Sequence, residues 1–543
     1  MNGQMDGQAD GQANGQADGQ ADQAPPADAP EPQRPPDPGA WTLTVPNEAG
    51  LRDLARQVAE LVGPGDLLTL SGGLGAGKTS FARALIRHIT GDEALEAPSP
   101  TFTLMQIYEG PDFPIVHADL YRVAHPSELA ELGWDEAAAG ALVIVEWAER
   151  AGSALTPDRL DIEFAPVPKR EGAREVRIKG HGAVGSRLAQ ARGVEALLRR
   201  AGFADARRDF MLGDASTRAY ERLTKPNGER AILMISPPRP DGPPIRFGRS
   251  YGALARLAET IGPFLSMAEA LAQEGVSAPR IIDADPQTGL AVIEDLGAEG
   301  VVDADGPIPE RYMAAAALLA ALHGRALPDA APSFAGGTYR IPPYDLDALL
   351  IEVELLTDWY APHLARASLS SGQRATFVNL WRQALGEVVA ARPTWVLRDY
   401  HSPNLIWLPE RDGLAQVGVI DFQDAVMGHP AYDVASLAQD ARVTVPDALE
   451  LRLLGHYAKL RRDASPDFDM AGFARAYAIL GAQRATKILG IFARLDKRDG
   501  KPQYRAHVPR VARALRKNLD HPALAPIKEW YAQHLPGLGD GDA

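Results

Sequence analysis

Gly72-Gly73-Leu74-Gly75-Ala76-Gly77-Lys78-Thr79 satisfies the pattern G-x-x-x-x-G-K-[ST]. That pattern has a function only where a buried strand feeds a glycine loop that opens a helix. The flanks agree, because residues 66–70 form an apolar strand-like run and residues 80–89 carry helical spacing. Glycines in the loop let backbone N–H groups close on phosphate oxygens, and the helix N-terminus adds partial positive charge. The expected nucleotide-binding set is Gly72, Gly75, Gly77, Lys78, Thr79 and Ser80. Lys78 is expected to pair with the β- and γ-phosphates and Thr79 to hold Mg²⁺. An α/β fold with a central sheet follows for this part of the chain.

Its surroundings supply the remaining chemistry. Asn47 reads as the cap of a helix over residues 48–61. Ser99-Pro100-Thr101-Phe102 is a loop able to present Thr101 to a γ-phosphate, while Asp119 and Glu146 each end a strand-like run. A carboxylate at a strand's C-terminal end beside a phosphate loop is where metal or attacking water is held in such folds. GGLGAGKT, SPTFT, HADLYR and VEW together resemble the TsaE family, small bacterial ATPases of tRNA threonylcarbamoyladenosine formation. The resemblance spans about residues 41–178 and implies active-site roles for Thr101, Asp119 and Glu146; the division of those roles, Asp119 on the metal and Glu146 and Thr101 catalytic, is our own reading. It also implies partner enzymes of the TsaD and TsaB kind. Gly73 stands where the family usually has Asp.

A second centre lies at residues 396–425, VLRDYHSPNLIWLPERDGLAQVGVIDFQDA. Asp399 and Asn404 sit in a loop between apolar runs, and Asp421 closes the next one. Phosphoryl transfer to a hydroxyl needs a carboxylate beside the attacking oxygen and metal ions on the phosphates, and kinase-type sites draw these from that order of residues. D-x-H-x-x-N followed by I-D-F resembles the aminoglycoside phosphotransferase and choline kinase branch of the kinase-like superfamily. The resemblance implies Asp399 as base and Asn404 and Asp421 as Mg²⁺ ligands. Leu397 replaces the usual supporting His.

Upstream, residues 212–235 read as a hairpin over ATP, and GDAS with Arg218 and Tyr220 resembles the phosphate loop of the AmgK family, anomeric amino-sugar kinases of bacterial cell-wall recycling. Gly213, Ser216 and Arg218 are the expected phosphate contacts, and N-acetylmuramate or N-acetylglucosamine the implied substrate. Met234 occupies the point where protein kinases place a phosphate-gripping Lys. An arginine of the hairpin, Arg218 before Arg222, is therefore expected to supply that charge. An antibiotic or other small-molecule phosphotransferase shares every one of these motifs, and a non-catalytic regulatory module is the reading from a different class.

These readings divide the chain into a low-complexity tail (1–40, built of GQAD-like units and prolines), a P-loop ATPase domain (41–181) and a bilobal α+β kinase-like domain (187–535), joined by a connector at residues 181–186. The tail has little to bury and is expected to be disordered. A net charge of −15 argues against direct nucleic-acid binding, and the lack of cysteine excludes thiol catalysis and Cys-ligated zinc. No run is long enough to span a bilayer, and a cytoplasmic protein using ATP and Mg²⁺ is expected. Lys487, Arg494, Lys497 and Arg498 read as solvated basic faces.

Overall fold

The computed structural model describes residues 40–539 apart from 126–127, 132, 152–154, 212–217 and 240–241. The tail expected at 1–40, save Ala40, lies outside the described residues. So do Gly213 and Ser216. The described chain separates into two compact units, the first reaching Leu188 and the second beginning at Ala189.

The first unit is built on a seven-stranded sheet. In chain order its strands are β1 (Ala40–Val45), β2 (Leu67–Ser71), β3 (Met105–Glu109), β4 (Pro114–Asp119), β5 (Leu142–Glu146), β6 (Leu160–Pro166) and β7 (Arg174–Gly180). Their order across the sheet is β1-β7-β6-β2-β5-β4-β3. The four central strands β6-β2-β5-β4 run parallel, and the outer ones pair antiparallel. Continuous apolar burial of β2 and β5 is what a sheet covered on both faces requires. The expected helix after Asn47 is α1 (Glu48–Ala59), whose first turn is capped by the Asn47 carboxamide accepting from Gly50 N at 3.0 Å. The glycine loop leads from β2 into α2 (Lys78–Thr90). Leu70, Phe81, Leu85, Ile144 and Phe164 join one core beneath it.

The expected connector at 181–186 is not a linker. Gly182–Arg200 is one helix, with Val184 and Leu188 in the first core and Val194, Leu197 and Leu198 in the second. Its glycines serve close approach rather than flexibility: a Cβ on Gly185 would lie 2.7 Å from the Gly180 carbonyl carbon.

The second unit opens with a five-stranded antiparallel sheet. Its strands are β8 (Arg207–Met211), β9 (Ala219–Thr224), β10 (Arg230–Ile235), β11 (Ile281–Asp285) and β12 (Leu290–Glu294), ordered β11-β12-β10-β9-β8. The hairpin β9–β10 is as the sequence predicts; β8, a mostly exposed polar edge strand, is not legible from apolar pattern. Below the sheet lies a helical lobe whose core is threaded by the 28-residue helix Met470–Lys497. Lys487 on that helix is only 7% exposed, so it is not part of a solvated face. Its ammonium donates to the Tyr432 hydroxyl at 2.7 Å and to Glu352 at 3.5 Å. Among the described residues no helix is long and apolar enough to cross a membrane.

Candidate active sites

In the first unit Gly72, Gly75 and Gly77 all hold positive φ, at 128°, 75° and 112°. Two of them also leave no room for a side chain, since a Cβ would come within 2.3 Å of the Phe164 carbonyl oxygen at Gly72 and 2.5 Å of Arg174 Nε at Gly77. Arg174 in turn donates to the Ala76 carbonyl at 2.7 Å, bracing the loop from β7. At Gly73 the space is open, so nothing steric decides its departure from the family's Asp. Gly77 caps α2 without a side-chain acceptor, leaving the first amides of the helix directed at the loop, with Ser80 on the opening turn. Lys78 is 5% exposed; its ammonium folds onto the Gly72 and Gly73 carbonyls at 2.7 and 3.0 Å and lies 4.0 Å from the Trp147 ring centre.

The acidic residues are adjacent, Asp119 and Glu146 being register partners across β4 and β5. Thr79 donates to Glu146 Oε2 at 3.0 Å, and His117 Nε2 lies 3.0 Å from Glu146 Oε1. Asp119 instead accepts from Ser99 at 2.5 Å and Thr101 at 2.7 Å through the same oxygen. The carboxylate hydrogen-bonded to the Thr79 hydroxyl is thus Glu146, and Asp119 ties down the Thr101 loop. His117, fully buried, was not singled out in the sequence, although it sits two residues before Asp119 on the same strand face, a spacing that could have marked it.

In the second unit Leu405–Trp407 pairs antiparallel with Val417–Val419, and Ile420 N donates to the Asn404 carbonyl at 3.0 Å. This hairpin brings Asp399, Asn404 and Asp421 to one cleft of about 590 Å³, which Arg218, Tyr220, Arg239, Asp295, Gly297, His401 and Gln423 also line. Arg398 and Asp421 both take positive φ, 67° and 62°, a strained conformation for such residues that a surrounding network must hold. Asp433 supplies part of it, its two oxygens accepting from Leu397 N at 2.7 Å and Arg398 N at 2.9 Å. Arg398 itself is buried against Glu352, which also accepts from Tyr344 at 2.6 Å and Gln483 at 2.9 Å. On the other flank, Phe422 stacks on Phe264 with ring centres 5.1 Å apart.

Charge is divided unevenly over the three polar groups. Burial pushes the Asp399 carboxyl up, but Lys487, His401, Arg398 and Arg484 outweigh it and hold it below its ordinary value. Burial and then the neighbouring Asp399 push Asp421 up to about 6. Asn404 Nδ2 donates to the Asp399 carbonyl at 2.9 Å and lies 3.5 Å from Asp421 Oδ2. Arg218 donates to Asp421 Oδ1 at 2.7 Å, whereas Arg222 turns to Asp295 at 3.1 Å. Met234 is 1% exposed and packs in the core. Of the two candidate arginines, only Arg218 meets the carboxylate. Arg239, Gln423 and Asp424 were missed, although Gln423 and Asp424 follow Asp421 directly in the sequence.

The sequence profile described as threonylcarbamoyl adenosine biosynthesis protein TsaE matches residues 45–176, and that of the phosphotransferase enzyme family matches residues 210–469. The N-acetylmuramate/N-acetylglucosamine kinase of Caulobacter vibrioides is 40% identical over 348 residues, 62% of this chain and 94% of the relative. The Pseudomonas putida protein of the same name is 31% identical over 327 residues, covering 60% and 87%. The tRNA threonylcarbamoyladenosine biosynthesis protein TsaE of Rickettsia typhi is 41% identical over 121 residues, 22% of this chain and 83% of the relative. The chain belongs to two families at once, TsaE through its first unit and the N-acetylmuramate/N-acetylglucosamine kinases through its second.

Proposed function

We propose that the chain is a bifunctional ATP-using enzyme, its functional boundaries following residues 41–181 and 187–535. The second unit transfers the γ-phosphoryl group of ATP to the anomeric hydroxyl of N-acetylmuramate or N-acetylglucosamine. The observation that carries this is the convergence of Asp399, Asn404, Asp421 and Arg218 on one cleft. Asp399, held ionised by its surroundings, takes the proton of the attacking hydroxyl. Arg218 stabilises charge on the transferring group in place of the lysine that Met234 displaces.

Asn404 and Asp421 fit Mg²⁺. They offer hard oxygens, and the Asp399 charge that helps raise the Asp421 carboxyl is one that a cation at Asp421 would offset. Among the described residues no group of three or more His, Cys, Asp or Glu gathers. When bound, the ion neutralises charge on the phosphates. ADP release from purified protein, measured with ATP, Mg²⁺ and a panel of free sugars and aminoglycosides, tests the reading. Turnover with the two amino sugars supports it; turnover with aminoglycosides alone, or none with any acceptor, refutes it.

The first unit acts as the ATPase component of tRNA threonylcarbamoyladenosine formation, with TsaD- and TsaB-like enzymes as partners in the cytoplasm. Gly72, Gly75, Gly77, Lys78 and Ser80 hold the phosphates. The Thr79 hydroxyl and Asp119 serve Mg²⁺, and Glu146 and Thr101 face the attacking water. Because the Thr79 hydroxyl donates to Glu146, Glu146 would also help hold Mg²⁺.

A further inference from the structure

The strand β4 carries a side chain for which the phosphate chemistry above has no use. His117 is completely buried, and its Nε2 lies 3.0 Å from Oε1 of Glu146, itself buried. A carboxylate oxygen accepts, so Nε2 carries the hydrogen and donates it. The other ring nitrogen, Nδ1, is buried without a hydrogen bond. Glu146 is thus the one hydrogen-bond partner of the ring among the described residues. A polar ring taken wholly out of water is costly, and the single bond it makes there shows which group it serves.

Strand register explains the meeting. β4 and β5 run parallel, with His117 beside Ile144 and Asp119 beside Glu146. Side chains two apart share a face, so His117, Asp119 and Glu146 stand on one side of the sheet. Glu146 ends β5, and Trp147 directly after it holds a φ of 60°, so the strand stops at the carboxylate. Two hydrogen bonds then divide that carboxylate: Oε1 accepts from His117, and Oε2 accepts from the Thr79 hydroxyl at 3.0 Å. A glutamate side chain gives up rotamer freedom when it is fixed, and a donor on each oxygen holds it in one orientation. Asp119 is tied separately, by Ser99 and Thr101 on Oδ2 and by the Tyr121 amide on Oδ1 at 3.0 Å. His117 is dedicated to Glu146.

We propose that His117 is a positioning residue of the first unit: its Nε2–H pins Oε1 of Glu146 and so keeps Oε2 at the Thr79 hydroxyl, on the side of the metal and the attacking water. This rests on the ATPase reading above. Without the donor, Oε1 would be buried and unbonded, a state the side chain escapes by turning away from Thr79. Reach makes the residue type matter. A glutamine extends its amide nitrogen about as far from the backbone as the imidazole Nε2, whereas the asparagine amide nitrogen stops near the place of Nδ1.

The test takes the full-length wild type, His117→Leu, His117→Asn and His117→Gln through ATP hydrolysis with TsaD- and TsaB-like partner enzymes. His117→Leu and His117→Asn should lower kcat by about 10- to 100-fold, the worth of one hydrogen bond to a charged group, with KM for ATP within about twofold of wild type. His117→Gln should recover most of that loss. ADP titration without Mg²⁺ reads the phosphate loop alone and should give all four proteins the same affinity within about twofold. In a spectrum of protein labelled with ¹⁵N-histidine, the ring signal missing from His117→Gln should carry a hydrogen on Nε2. Wild-type kcat in His117→Leu, equal losses in His117→Gln and His117→Asn, or a ring without hydrogen on Nε2 would overturn the proposal while leaving the ATPase reading intact. If His117→Leu no longer binds ADP, the comparison of His117→Gln with His117→Asn decides. A wild type that hydrolyses no ATP with its partners would end both readings together.

Discussion

On the proposed reading, Arg218 supplies the charge that Met234 cannot. A thioether cannot bind phosphate, and its burial gives Met234 a packing role only. Met234→Leu, nearly volume-conserving, should therefore leave kcat/KM within about threefold of wild type. Arg218→Ala should cost about 3–4 kcal/mol of transition-state stabilisation, as deletion of one electrostatic stabiliser does, read as a fall in kcat/KM of roughly 10²–10³. A near-wild-type Arg218→Ala would mean that the charge comes from elsewhere in the cleft. Glycine identity in the P-loop makes a second residue-level contrast. Gly72 combines positive φ with a Cβ position against backbone, whereas Gly73 faces open space. Gly72→Ala should abolish nucleotide binding by the first unit and Gly73→Ala should preserve it, as measured by ADP titration. These residues were legible in the sequence because phosphate chemistry forces them into short, fixed spacings. Glu352 was not, since three of its partners, Arg398, Gln483 and Lys487, lie 46, 131 and 135 residues away in the chain.

Elements hold these residues in place, and the helix Ala431–Ala438 shows how. Asp433 on its first turn accepts the amides that set the strained entry to Asp399. Burial raises the Asp433 carboxyl to about 7. A group whose folded pKa lies above its unfolded value, here 3.8, contributes stability that is whole at low pH and declines as pH rises toward the folded value. Denaturant unfolding of the wild type should therefore include a component lost between about pH 4 and pH 7, and Asp433→Asn should lack it. An identical pH profile in the two proteins would contradict this. Other elements were misjudged for a common reason. Residues 181–186 looked like a linker by their glycines, and Lys487 looked solvated by its charge. Tertiary packing reversed both: backbone contact explains the glycines, and Glu352 with Tyr432 explains the lysine.

Among the described residues each unit is built on a main sheet of its own topology, seven-stranded in the first and five-stranded in the second, with cores of its own. The mixed sheet with a parallel centre and the antiparallel five-stranded sheet were both foreseeable, because each motif dictates the strands and helices around it. The exposed edge strand β8 was not, nor was the start of the helix Gly182–Arg200, since a helix is read in the sequence only from Arg187 and residues 182–186 read as part of the connector. The account's central claim is that the two sites are separate machines. The decisive measurement takes Lys78→Ala and Asp399→Asn, in the full chain, through two assays: ATP hydrolysis in the presence of tRNA-modification partner enzymes, and phosphorylation of the amino sugar. Lys78→Ala should abolish the first and leave the second at the wild-type rate. Asp399→Asn should leave the first unchanged and slow the second by about 10²–10⁴, the loss expected on removing a general base. Loss of both activities from either single substitution would contradict the account.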